Sequence, residues 1–289
     1  MSDYAIEIKG LAKSFPDFQM KDLNLQIPKG YITGFIGPNG AGKSTTIKMM
    51  MSLMHPDSGE IKIMGQNIQD HAEEIKARIG FVYAENVFYD HLNIKETERL
   101  IAPFYKKWDH QKFTDLIQSF GLPKNKKVKD FSTGMKVKLS LAVALSHHAD
   151  LILLDEPTSG LDPIVRKEIL NILYDIIQDE SKTIFFSSHI TTDLEQIADY
   201  ITFIYDGSII LNEEKDNLLQ HYRLVKGDQK LLEHDRLKDY LIGLEKRDTG
   251  SIALTKEAEV FEEMYGDQLV IEAASLEDIM YYFTKREGF

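Results

Sequence analysis

The stretch Gly37-Pro38-Asn39-Gly40-Ala41-Gly42-Lys43-Ser44-Thr45 fits G-x-x-x-x-G-K-[ST], the P-loop that cradles phosphates. No other part of the chain constrains the fold as much, because this loop works only between a strand and a helix. Both are legible. Tyr31 to Ile36 reads as a short, mostly apolar strand. Ile47, Met50, Met51 and Met54 recur at i, i+3, i+4 and i+7, one face of a helix. Gly37, Gly40 and Gly42 free the backbone to turn, so that its N–H groups converge on phosphate oxygens. The helix that follows points its positive end at the same anion. Lys43 adds a full charge toward the β- and γ-phosphates, and Ser44 offers a hydroxyl to Mg2+.

At 289 residues the chain has room for one large domain, or one domain with a small appendage. Its net charge of −12 argues against broad contact with nucleic acid. With no cysteine there is no disulfide, no thiolate metal site and no cysteine nucleophile. Met1-Ser2-Asp3 lacks a basic start and no apolar run follows, so no signal peptide is expected. Nor does any run approach the ~20 apolar residues of a membrane span. A soluble chain is expected, with any membrane role coming through a partner.

Strands are expected from Tyr4 to Leu11 and from Leu23 to Ile27, with Phe15 and Phe18 in a turn around Pro16. An aromatic just upstream of the P-loop is placed to stack on an adenine ring, and equally to fill a core. A helix is expected from Ile75 to Ile79, then a strand from Gly80 to Tyr83, then helical character from Glu85 to Gly121. Leu151 to Leu154 is the continuous apolar run of a strand buried in a parallel sheet. It ends in Asp155-Glu156, where open α/β sheets bind ligands. An amphipathic helix follows Pro163, and a buried strand from Thr183 leads to His189. Asp206-Gly207 between apolar runs signals a hairpin. After about Tyr222 charged segments alternate with short strand-like runs, and a last helix starts near Ser275.

The order of these elements carries a resemblance. The P-loop, Phe131-Ser132-Thr133-Gly134-Met135, Leu151 to Glu156, Ser159-Gly160-Leu161-Asp162 and His189 together resemble an ABC-type ATPase subunit over roughly residues 4–220. The implied fold class is α/β: a P-loop NTPase core with an antiparallel β subdomain and an α-helical subdomain, and a small α+β accessory domain. The core would span 1–221, its helical part about 85–148, and the accessory domain 222–289.

Roles follow from the resemblance. Phe15 matches the aromatic that stacks on adenine. Gly37, Pro38, Asn39, Gly40, Ala41, Gly42, Lys43, Ser44 and Thr45 hold ATP, with Lys43 on the phosphates. Ser44 and Asp155 serve Mg2+. Glu156 is the general base that polarises the attacking water, and His189 contacts the γ-phosphate. Ser132, Thr133, Gly134 and Met135 are the signature that caps ATP bound to the other protomer. Asp162 links the two sites across the dimer.

Three positions depart from the family's pattern. The signature usually reads Leu-Ser-Gly-Gly-Gln, and Phe131, Thr133 and Met135 replace three of those residues; Ser132 and Gly134 are kept, so function is expected to survive. The glutamine that usually contacts Mg2+ and the membrane partner falls on Ala84, which leaves neighbouring Glu85 as the candidate oxygen donor. Phe15 stands where tyrosine is common.

The resemblance is to bacterial exporter ATPases of the ABC-2 kind, whose cargo is peptide, lipid or drug. It implies a homodimer, or a heterodimer with a similar ATPase. Its docking surface, near Glu85 to Lys107, would meet a separate transmembrane permease subunit. The chain would then be cytoplasmic, peripheral at the inner face of the cell membrane, with no direct nucleic acid. The alternative is a soluble ABC-type ATPase, translation- or DNA-associated, or an assembly scaffold. A single P-loop, no cysteine and no long heptad run weigh against the translation and DNA forms.

Overall fold

The computed structural model describes residues 3–83, 87–234, 237–248 and 250–285, so the candidate Glu85 lies outside the described residues. The chain divides into two compact units, Met1–Asn212 and Glu213–Phe289.

The first unit opens on an antiparallel hairpin. β1 (Tyr4–Phe15) and β2 (Phe18–Pro28) pair from Tyr4↔Pro28 to Phe15↔Phe18, further than the alternation in the sequence suggested. β3 (Ile32–Ile36) leads into the P-loop and α1 (Lys43–Met50). Because α1 stops at Met50, Met54 lies beyond the helix, yet it packs on the same core. β4 (Ser58–Ile63) and β5 (Gln66–Asn67) complete a four-stranded sheet of order β2-β1-β4-β5. Next come α2 (Ala72–Lys76) and β6 (Ile79–Tyr83). This corrects the helix expected from Ile75 to Ile79. Ile79 is buried and pairs with Leu151, so the sheet claims this β-branched residue.

Three helices make the α-helical part: α3 (Ile94–Ile101), α4 (His110–Ser119) and α5 (Thr133–Ser146). Asn93 and Glu96 fix the start of α3 as a capping box, each side chain accepting the other's backbone N–H. Phe113, Ile117, Val128, Phe131 and Leu139 form the core here, with Trp108 packed on it.

β7 (Leu151–Asp155), α6 (Pro163–Ile177), β8 (Thr183–Ser188), α7 (Thr191–Ile197), β9 (Tyr200–Tyr205) and β10 (Ser208–Glu214) complete the unit. The central sheet has the order β10-β9-β3-β8-β7-β6, and β9, β3, β8, β7 and β6 run parallel. Every residue of β7 and β8 is buried, as expected of parallel strands covered on both faces. Asp206 and Gly207, between β9 and β10, both take positive φ (44° and 74°), which a two-residue hairpin turn requires. One apolar core runs from Ile6 and Ile61 of the antiparallel sheet, through Ile47 and Met50 of α1, to Phe35, Leu153 and Phe185 of the central sheet. With β3, β8 and β7 adjacent and parallel, the loops after their C-terminal ends meet along one edge of the sheet.

The second unit holds α8 (Lys215–His221), β11 (Arg223–Gly227), α9 (Gln229–Leu232), β12 (Leu241–Arg247), β13 (Gly250–Thr255), α10 (Ala258–Tyr265), β14 (Val270–Ala273) and α11 (Leu276–Lys285). Its antiparallel sheet has the order β12-β13-β11-β14. From β11 to β14 the succession is βαββαβ, the split arrangement of ferredoxin-like folds. Val225, Leu232, Phe261 and Leu269 centre its core. Ser275 caps α11, its hydroxyl accepting the Asp278 N–H at 3.1 Å.

Candidate functional site

The P-loop follows β3 directly, and its glycines do different jobs. Gly40 and Gly42 make the turns, at φ 82° and 110°. Gly37 does not turn; it makes room. A Cβ there would lie 2.3 Å from the carbonyl oxygen of Ile204 on β9. Gly42 caps α1, so the first N–H groups of that helix face the loop.

Lys43 is 6% exposed. Its Nζ donates to the carbonyl oxygens of Gly37 (2.7 Å) and Pro38 (3.3 Å) and lies 3.4 Å from Glu156 Oε1. Ser44 Oγ donates to Asp155 Oδ1 at 3.2 Å, and Ser187 Oγ donates to the same oxygen at 2.7 Å. A hydroxyl and a carboxylate this close are hard oxygen donors of the kind Mg2+ takes. Among the described residues no group of three or more His, Asp and Glu could hold a metal by itself. A cation at Ser44 and Asp155 therefore needs phosphate and water to complete its shell, the usual arrangement for Mg2+. The residues fit the ion.

The two adjacent acids face different partners. Asp155 is buried at the end of β7. Glu156 turns away from it with φ 53°, in the left-handed region that residues with a Cβ seldom enter. Ser187 anchors this turn: its carbonyl and hydroxyl oxygens each accept the Glu156 N–H at 3.1 Å. Glu156 Oε2 then meets His189 Nδ1 at 2.6 Å. One carboxylate is thus held between the P-loop lysine and the histidine that follows β8.

These groups line a cleft of about 610 Å³ with Phe15 at its rim. Phe15 and Phe18 lie with ring centroids 6.2 Å apart, and both line it. Ser159 lines it too. The sequence named both Phe18, beside Phe15, and Ser159, in the stretch before Asp162, but gave the adenine role to Phe15 and no site role to Ser159. Ser187 was not anticipated, although two serines directly before His189 at a strand end were a visible polar signal.

Ser132, Thr133, Gly134, Met135 and Asp162 do not line this cleft. Ser132 caps α5 by accepting the Met135 N–H at 3.3 Å, and Asp162 caps α6 by accepting the N–H groups of Ile164 and Val165. Ser132 and Thr133 are exposed. Gly134 is buried, and a Cβ there would lie 2.2 Å from Val165 Cγ1. At this glycine α5 also packs closely against α6.

Comparison with known proteins gives a consistent result. The family model described as ABC transporter matches residues 20–159. The bacitracin transport ATP-binding protein BcrA of Bacillus licheniformis is 37% identical over 203 residues, 70% of this chain and 66% of that protein. The lantibiotic transport ATP-binding protein SrtF of Streptococcus pyogenes is 36% identical over 214 residues, 73% of this chain and 91% of that protein. A solved ATP-binding subunit of an ABC transporter has a TM-score of 0.67 at 27% identity, covering 75% of this chain and 92% of that one.

Proposed function

Since the chain belongs to the ABC transporter ATP-binding family, we propose that it drives export through a separate permease by closing on ATP as a dimer and reopening after hydrolysis. It is an ATP-binding, ATP-hydrolysing cassette. The observation that carries the mechanism is the Glu156 carboxylate held between Lys43 and His189 at the mouth of the P-loop.

The steps follow from that geometry. The adenine stacks on Phe15, with Phe18 beside it. The amides of residues 37–45 and the start of α1 take the phosphates, and Lys43 exchanges its loop carbonyls for β- and γ-phosphate oxygens. Ser44 and Asp155 would hold Mg2+, which when bound neutralises charge on the phosphates. Glu156 accepts a proton from water as the water oxygen bonds to the γ-phosphorus. The bond from that phosphorus to the bridging oxygen breaks, and ADP leaves. His189 holds Glu156 in line through Nδ1 and reaches the γ-phosphate. The exposed start of α5, Ser132 and Thr133, caps the γ-phosphate of ATP on the partner protomer, as a helix N-terminus suits an anion. Asp162, at the start of α6, lies on the dimer seam.

Val87, Tyr89, Leu100 and Phe104 are exposed, Phe104 by 78%, and Leu100 and Phe104 close the α3 segment. Apolar exposure of this kind supports docking of a permease's cytoplasmic loop in the region of Glu85 to Lys107. No described helix is long and apolar enough to cross a membrane. In this reading the permease supplies the contact with the bilayer, at the inner face of the membrane. The relatives' names, bacitracin and lantibiotic transport, support an amphipathic peptide or similar antimicrobial as cargo. The βαββαβ unit of residues 213–289 is an accessory domain to this core.

The deciding experiment is affinity purification of Glu156→Gln protein from detergent-solubilised native membranes with ATP and Mg2+. One multi-span protein in fixed ratio is the expected result. Recovery of ribosomes, DNA or soluble protein alone would overturn the transport reading and favour a soluble ATPase.

A further inference from the structure

The region proposed to meet the permease carries a charge that the steps above do not use. Over the whole chain acids outnumber bases, 46 to 34. In residues 87–107 and 124–129 the balance is inverted, with eight Lys and Arg against three Asp and Glu. The two stretches lie side by side. The Val128 N–H donates to the Leu92 carbonyl at 2.9 Å, the Lys129 N–H donates to that of Asp90 at 3.0 Å, and Lys127 bridges to Asn93. Lys95, Arg99, Lys106 and Lys107 are exposed on the first stretch, and Lys124, Lys126, Lys127 and Lys129 on the second. None of these eight makes an ion pair among the described residues.

The acids of the same stretches are already engaged. Glu96 closes the α3 capping box, Glu98 lies 2.8 Å from His110, and Asp90 has an interaction of its own. Asp130, directly after Lys129, is an open acid at the edge. Lys95 and Arg99 stand four apart on α3, a spacing at which like charges repel. Crowded cations of this kind are answered best by an anionic partner. Beside them stand the exposed Val87, Tyr89, Leu100 and Phe104.

The surface is also not flat. A cleft of about 440 Å³ lies at the end of the first stretch, lined by Phe104, Lys106 and Lys107 together with Ala77, Arg78 and His147. His147 is 2% exposed, and its Nδ1 has no hydrogen-bond partner among the described residues. Of the acids on this cleft, Asp150 is held by Arg78 at 2.7 Å and Glu74 accepts from Gln66 at 3.1 Å, which leaves Glu73 open. A bilayer offers headgroups to lysines but no rigid projection to a cleft. A folded loop offers both.

We propose that the permease segment docking here is acidic: its carboxylates answer the lysines of both stretches, and one of its side chains seats in the cleft beside Phe104. The inference rests on the transport reading and names the chemistry of the partner. Charge then turns this region of an otherwise acidic chain toward the permease and speeds their encounter, while the cleft fixes the register.

The test uses the full-length chain with two probes: native membranes washed free of this ATPase, and vesicles made from the lipids extracted from them. Sedimentation should show the chain rebinding the membranes and not the vesicles, and trypsin treatment of the membranes should abolish binding. Raising salt from about 50 to about 300 mM should weaken binding about tenfold. Changing Lys124, Lys126, Lys127 and Lys129 together to Gln should cost about tenfold in affinity, as should Lys106→Gln with Lys107→Gln. Lys→Arg at the same four positions should bind like the unmodified chain. Ala77→Trp, which crowds the cleft, should weaken binding at every salt concentration. ATPase rate in solution and Tm should be nearly unchanged in the lysine variants; should the fourfold variant not fold, the Lys106 and Lys107 pair is read alone. Binding to vesicles as tight as to membranes would overturn the proposal in favour of anionic lipid. Binding that neither salt nor the lysine changes affect would overturn it in favour of an apolar segment, and indifference to Ala77→Trp would remove the seat in the cleft. Failure of the transport reading looks different: the unmodified chain would then not rebind the membranes at any salt concentration, and the proposal would fall with it.

Discussion

At the end of α5 the His147 imidazole is 2% exposed and stacks on the Tyr105 ring, centroids 3.9 Å apart and planes at 11°. Burial pulls its pKa down from 6.5 to about 4. Between those values the unfolded chain binds a proton that the folded chain refuses. The stability tied to this residue is therefore fully present above pH 6.5 and lost as pH falls toward 4, by up to about 3 kcal/mol. Urea midpoints taken from pH 7 down to 4 should fall less steeply for His147→Phe, which keeps a ring against Tyr105. Equal slopes for the two proteins would refute this account. Single residues were legible in the sequence where chemistry restricts the choice. Lys43, Ser44, Asp155, Glu156 and His189 belong to motifs with fixed spacing, and the structure gathers them in one cleft or just beneath it. Ser187 and Phe18 left only weak local signals, a pair of serines at a strand end and a second ring beside Pro16, and it is strand pairing that carries them to the site.

At the scale of elements, the contact between α5 and α6 explains a glycine that the signature motif assigns to a nucleotide. Gly134→Ala would put a methyl group 2.2 Å from Val165 Cγ1. Overpacking of this kind costs about 1–3 kcal/mol, more than the roughly 1 kcal/mol that alanine offers a helix. The substitution should lower Tm by several degrees, and Val165→Ala in the same chain should restore most of it. A Gly134→Ala chain as stable as the unmodified one would mean that the two helices move apart at little cost. The parallel strands were readable as elements because burial on both faces leaves continuous apolar runs, as in Leu151 to Leu154. β11 was not, because in Arg-Leu-Val-Lys-Gly a charged residue stands on either side of only two apolar ones, and the strand is stabilised by β13 and β14, far along the chain. The expected helix at Ile75 to Ile79 failed for the same reason: its apolar spacing suits a helix, and only the partner strand β7 decides otherwise.

For the whole molecule, the proposed function makes the working unit two chains, since the exposed signature at the start of α5 does not line the chain's own cleft. A Lys43→Ala chain and a Ser132→Arg chain should each be inert. Mixed, they should regain up to about a quarter of the full rate. Half the random dimers are mixed, and each of those holds one site with an intact P-loop and an intact cap. No recovery, with mixed dimers verified by native mass measurement, would remove the signature from the partner's site. The division into two units was only coarsely visible in the sequence, as a rise in charge after about Tyr222. The βαββαβ order of the second unit depends on which strands pair, and short charged strands carry little register information.

Glu156 combines the base of the proposed reaction with a backbone at φ 53°, a conformation that glycine or asparagine adopts more readily. Heat tolerance and turnover therefore pull this one codon in opposite directions. A laboratory lineage scored only on surviving heat should drift toward glycine or asparagine at 156 and end as a durable protein that binds ATP without splitting it. A lineage scored on growth under the exported compound should never lose the glutamate.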